Sequence, residues 1–212
     1  MSAFLIFILS LSIGFPVITS LIRFKVASKD IHFLIIYFIL GFLNECLYYF
    51  SGSAQISNLG SNIFLIFEFS LLLFQLKHWG LYQQKNRFIC MLILGLIMYI
   101  LSLVYFKTIF EFNSIFIIFS NFTIVLGCID QVNKQFIESD IPLLKNHRVI
   151  ISFSLILFFS MCILVESFFI FNLKLSADFL HHVFTIKIFL NLIIHLVIAL
   201  AILWIPKKKI FM

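Results

Sequence analysis

The chain has 212 residues, of which 63% are hydrophobic and 11% charged, with a mean hydropathy of +1.16. An ordinary soluble domain is roughly 45–50% apolar, so this composition excludes one and marks an integral membrane protein. The formal charge of +6 is scattered along the chain and not gathered on one face with interleaved aromatics, which argues against nucleic acid and for threading and contact with anionic lipid.

Seven apolar segments follow in chain order, each close to the roughly 20 residues a helix needs to cross about 30 Å of hydrocarbon. They run near Ala3 to Ile22, Ile31 to Phe50, Leu59 to Leu76, Phe88 to Phe106, Ser114 to Ile129, Val149 to Phe171 and Val183 to Ile205. The short alternating segments of a membrane barrel are absent, and a backbone in lipid must satisfy its own hydrogen bonds. The expected fold is all-α: one polytopic seven-helix transmembrane domain over residues 1–212. No basic residue precedes the first apolar run, so it reads as a retained helix and not as a cleaved signal, bent at Gly14 and Pro16.

Basic residues set the threading. Three follow each of spans one, three, five and seven: Arg23, Lys25 and Lys29; Lys77, Lys85 and Arg87; Lys134, Lys145 and Arg148; Lys207, Lys208 and Lys209. Only Lys107 and Lys174 occupy the loops on the other side. This alternation predicts an outside N-terminus, a cytoplasmic C-terminus and residence in the inner membrane. Trp79 and Trp204 fall where an aromatic belt is expected. The longest loop on the basic side, Asp130 to Arg148, is the expected docking surface for a cytoplasmic partner.

Polar groups inside the spans carry the functional signal, because a charged residue at mid-span costs roughly 2.5–3.5 kcal/mol on the insertion scale. Glu45, Glu68 and Glu166 lie within spans two, three and six, and Lys187, Asn191 and His195 within span seven. Steps of four residues turn a helix face by only about 40°, so the last three form one stripe. The threading puts Glu45 and Glu166 at the height of Lys187, and Asn44, Asn62 and Asn121 can add hydrogen bonds. The expected object is a polar cavity opening outward, formed by ligand-binding or proton-relay residues. Plainer readings stand beside it: Lys187 can snorkel to the interface, Asn191 and His195 can join helices, and Glu68 can be a neutral carboxyl. The four cysteines have no C-x-x-C spacing and read as small packing residues.

Span seven lacks an H-x-x-x-H pair, and the chain lacks a G-x-S-x-G stretch. Neither a metal site nor a serine hydrolase is therefore expected, and no cofactor is. A retinal Schiff base on Lys187 would place that lysine too near the outer end.

The stretches "FLIFEFSLLLFQ", "IPLLKNHRVIISFSLILFFS" and "KIFLNLIIHLVIALAILW" resemble the uncharacterised seven-span membrane proteins of Bacteroidota that are often encoded near sensor histidine kinases. In that family span three carries Glu-Phe, matched by Glu68 and Phe69, and span seven carries His and Asn at four-residue steps. Asn191 keeps the step, while Lys187 stands where histidine is more usual and His195 where asparagine is. The resemblance implies a signalling neighbourhood. The leading expectation is a receptor-like or accessory signalling protein with a small or lipid-like ligand and a partner such as a membrane sensor kinase. A small proton-coupled secondary transporter is the alternative, followed by an intramembrane lipid-modifying enzyme.

Overall fold

A computed structural model describes residues 3–82, 84–106, 109–139, 142–171 and 176–206. Its helices are α1 (Ala3–Ser10), α2 (Gly14–Ile22), α3 (Phe24–Ala27), α4 (His32–Phe50), α5 (Ala54–His78), α6 (Lys85–Phe106), α7 (Ser114–Glu138), α8 (His147–Ile170) and α9 (Ala177–Leu203). Among the described residues, six of them, α4 to α9, are long and apolar enough to cross a membrane. The apolar run Ile6–Ile22 is shorter than these six and is interrupted by a 3-10 turn at Leu11–Ile13. Pro16 has no N–H to return to the Ser12 carbonyl, and the Gly14 N–H turns back to Leu11 and Ser12 instead.

The helices close into a ring. The α1–α2 pair packs on α4 and α9, α4 on α5, α5 on α7, α7 on α8, and α8 on α9. Helix α6 lies outside it against α5 and α7. Gly95 permits this docking, since a Cβ there would meet the Phe69 ring at 2.1 Å. Phe38, Leu72, Phe116, Phe159 and Ile198 are fully buried in the ring's core.

Side-chain hydrogen bonds tie both ends. At the end bearing most of the basic residues, Asp30 in the α3–α4 turn accepts from His147 Nε2 and from the Arg148 guanidinium. Its carbonyl accepts from Gln75 at 2.8 Å and from the Trp79 indole at 3.0 Å. Burial pushes the Asp30 carboxyl up, but the hydrogen bonds and charges of His147 and Arg148 outweigh it and hold the group at about 2. Arg23 reaches the carbonyls of Leu203 and Ile205 past the end of α9. At the opposite end the Asn62 amide on α5 donates to the carbonyls of Ile109 and Glu111, both at 2.7 Å, and accepts from the Asn113 N–H at 3.2 Å. Asn113 in turn caps α7 by accepting from the Phe116 N–H.

These contacts correct three expectations. The segment from Asp130 to Glu138 is not loop but the last turns of α7. Its helix continues because Gln131 and Gln135 are buried, with Gln135 accepting from Asn146 at 2.9 Å, while Lys134 donates to the Gly80 carbonyl at 2.6 Å. Trp79 is buried and bonds Asp30, so it does not sit in a lipid-facing belt. Asn62 serves the chain turn before α7 and not a central cavity.

Candidate functional site

The polar residues expected at the site lie along four helices of the ring, α4, α5, α8 and α9. Three carboxylates come from three helices: Glu45 from α4, Glu68 from α5 and Glu166 from α8. Each interacts with a hydroxyl on a neighbouring element: Glu45 with Ser10 of α1, Glu68 with Tyr37 of α4, and Glu166 with Ser114 at the start of α7. Glu68 and Glu166 are buried and Glu45 half-buried. The Lys187 amine, from α9, acts electrostatically on all three. Among the described residues, however, it forms no direct ion pair with any of them. One cation therefore faces three carboxylates across gaps wider than a salt bridge.

Two turns further along α9, His195 is buried and its Nδ1 lies 2.8 Å from the Ser12 hydroxyl. The partner comes from the 3-10 interruption of the first helix, so the bond pins α9 to the break. Asn191, half-buried between Lys187 and His195, takes part in none of the hydrogen bonds found among the described residues. The stripe on α9 is thus divided: Lys187 serves the carboxylates, and His195 serves the first helix.

Polar atoms continue toward the basic end. Ser20 on α2, Gln131 on α7 and Ser152 on α8 carry buried side-chain atoms with no hydrogen-bond partner among the described residues. Such groups are rare in folded proteins and costly in hydrocarbon. The described His, Cys, Asp and Glu side chains contain no group of three placed to hold a metal ion.

Ser10, Ser12, Tyr37 and Ser114 are the residues that reading the sequence missed. Serines and a tyrosine in an apolar run carry no distinctive spacing; only the Gly14–Pro16 punctuation beside Ser12 offered a signal. No family model, no curated protein and no solved structure matches this chain. Fold and site thus define an all-α protein with six described helices long and apolar enough to cross a membrane, three of which bring carboxyl groups within electrostatic reach of one amine.

Proposed function

We propose that the protein is a receptor-like or accessory signalling protein of the cytoplasmic membrane, crossing it seven times, with its N-terminus outside. It binds a small or lipid-like ligand bearing a positive charge at the Glu45, Glu68 and Glu166 cluster. The observation that carries this reading is the acidic excess around Lys187: one amine and three carboxyl groups that form no direct ion pair among the described residues. In a low-dielectric interior like charges cannot be left uncompensated. A ligand ammonium entering the cluster would supply the missing charge, with Lys187 orienting the ligand's acceptor groups. The first helix is the natural moving part, since its interrupted segment touches the cluster through Ser10 and α9 through Ser12. A shift there passes to Arg23 and the basic end, where a cytoplasmic partner such as a membrane sensor kinase would dock.

Thermal unfolding of the purified protein against a panel of small amines and amine-bearing amphiphiles tests this. Stabilisation by one class, lost in Glu45→Gln and Lys187→Met, supports it; no stabilisation by any cationic compound that discriminates wild type from Glu68→Gln overturns it.

The unpartnered Ser20, Gln131 and Ser152 favour a second reading, a proton-coupled transporter in which water bridges those groups and carries protons between the cluster and the basic end. Proton-dependent solute flux in reconstituted vesicles, abolished by Glu68→Gln, would select it.

A further inference from the structure

A separate site lies at the basic end, outside the ring. The α5–α6 turn, the first turns of α6 and the last turns of α7 enclose an open cleft of about 640 Å³. Its charged lining is Arg87, Asp130, Lys134 and Glu138, beside Tyr82 and Met91. Two of these charges are already used within the chain. Lys134 donates to the Gly80 carbonyl at 2.6 Å and lies 3.8 Å from Glu138, one helical turn away. Gly80, at φ +84°, turns its carbonyl toward that amine; a Cβ there would fall 2.7 Å from the Lys134 nitrogen.

Arg87 and Asp130 remain. Both are exposed, and among the described residues neither makes a hydrogen bond or an ion pair with a protein group, though Asp130 acts on the Tyr82 phenol. Burial and the Asp130 carboxylate push the Tyr82 hydroxyl above its usual range, so it stays an O–H donor at any working pH. Among the described residues the cleft thus offers a guanidinium and a carboxylate that form no ion pair with each other, with the Tyr82 side chain in the same lining. Away from this end the two flanking helices expose apolar side chains in succession: Ile89 and Ile93 on α6, Leu126 and Phe122 on α7.

From this geometry we infer that the cleft holds a zwitterionic phospholipid bearing a primary ammonium, of the phosphoethanolamine type. Arg87 takes the phosphate, for which its planar fork is suited. Asp130 takes the ammonium, which can also rest against the Tyr82 ring. The acyl chains run along the exposed faces of α6 and α7. Phosphatidylglycerol would satisfy Arg87 but bring Asp130 no cation, only a neutral glycerol, and a choline head has no N–H to give Asp130. This site is independent of the acidic cluster and stands or falls without it.

The test is native mass spectrometry of the full-length protein in detergent, titrated with phosphatidylethanolamine, phosphatidylglycerol and phosphatidylcholine. Wild type should retain phosphatidylethanolamine roughly tenfold better than the other two, the scale of one charge-assisted hydrogen bond. Asp130→Asn should abolish that preference while leaving phosphatidylglycerol retention unchanged or raised. Arg87→Gln should weaken retention of all three, and Arg87→Lys should restore part of it. Equal retention of the three lipids by wild type, or a preference that survives Asp130→Asn, overturns the assignment. So does full displacement of the lipid by equimolar soluble phosphoethanolamine, which would show that the headgroup alone is the ligand. Unchanged thermal unfolding of the variants confirms that each is folded.

Discussion

Asp30 and the Glu45, Glu68 and Glu166 cluster both hold acidic side chains among the helices, yet they are built on opposite plans. Asp30 is one carboxylate in direct contact with two basic side chains, and the carbonyl of the same residue is filled by Gln75 and Trp79. The cluster has three carboxyl groups and one amine, with no direct ion pair between them among the described residues. A fully satisfied polar network fixes a structure, whereas a partly satisfied one is costly and persists where something else is meant to complete it. The difference separates the joint that holds α4, α5 and α8 together from the place where a ligand or proton is expected to act.

The largest effect should come from breaking the joint. Asp30→Ala strands the Arg148 and His147 side chains and should cost about 3–5 kcal/mol, the range for removing one partner of a buried ion pair. Thermal unfolding in detergent reads this, and a loss below about 1 kcal/mol would show that the hub is not structural. The same hub predicts a pH dependence. The Asp30 carboxyl sits at about 2 in the folded chain against 3.8 ordinarily, so the folded state binds this proton more weakly than the unfolded one. Its stabilisation, worth about 2 kcal/mol, is complete above about pH 4 and disappears as pH falls toward 2. Asp30→Asn should lack that part of the acid loss; an identical acid profile in both proteins would contradict it.

Next in size is Asn62→Ala at the opposite end. It leaves the Ile109 and Glu111 carbonyls and the Asn113 N–H without their partner, and at about 1 kcal/mol per lost bond the cost should be about 2–3 kcal/mol. Faster hydrogen exchange confined to the start of α7 would accompany it; exchange unchanged there would show that the clamp is idle. Ser12→Ala removes one hydrogen bond to His195 and should cost about 1 kcal/mol.

How legible this was from the sequence depends on which force wrote each feature. Hydrophobic length is a local property, so the six long helices stand close to the apolar segments that predict them. Where the boundaries moved, at the start of α5 and the end of α7, polar residues had read as loop, yet they continue a helix because tertiary partners satisfy them: Asn58 donates to the Phe110 carbonyl, and Gln135 accepts from the Asn146 amide. Lys187 and the three glutamates stood out as charges in apolar text. Their hydroxyl partners did not, because Ser10, Tyr37 and Ser114 lie on other elements and their nearness is decided by the ring closure. Asp30 was passed over for the same reason: an acid in a basic turn looks solvated until α8 brings Arg148 to it.

The smallest stability effect is expected where the functional effect is largest. Lys187→Met removes the one cation of the cluster but breaks no direct ion pair, and methionine keeps most of the apolar stem's volume in a flexible side chain. The carboxylates it leaves can be compensated by protons, as interacting acids are, so the unfolding free energy should change by less than about 1 kcal/mol. Arg148→Met, by contrast, strips a direct partner from Asp30 and should approach the Asp30→Ala loss. Stabilisation by compounds that carry both an ammonium and an acceptor group should vanish in Lys187→Met, which loses the amine that orients the acceptor, and persist in a folded Arg148→Lys. If Lys187→Met instead unfolds the protein as readily as Asp30→Ala does, the cluster is a second structural joint, the contrast between the two sites dissolves, and ligand binding at Glu45, Glu68 and Glu166 loses its physical basis.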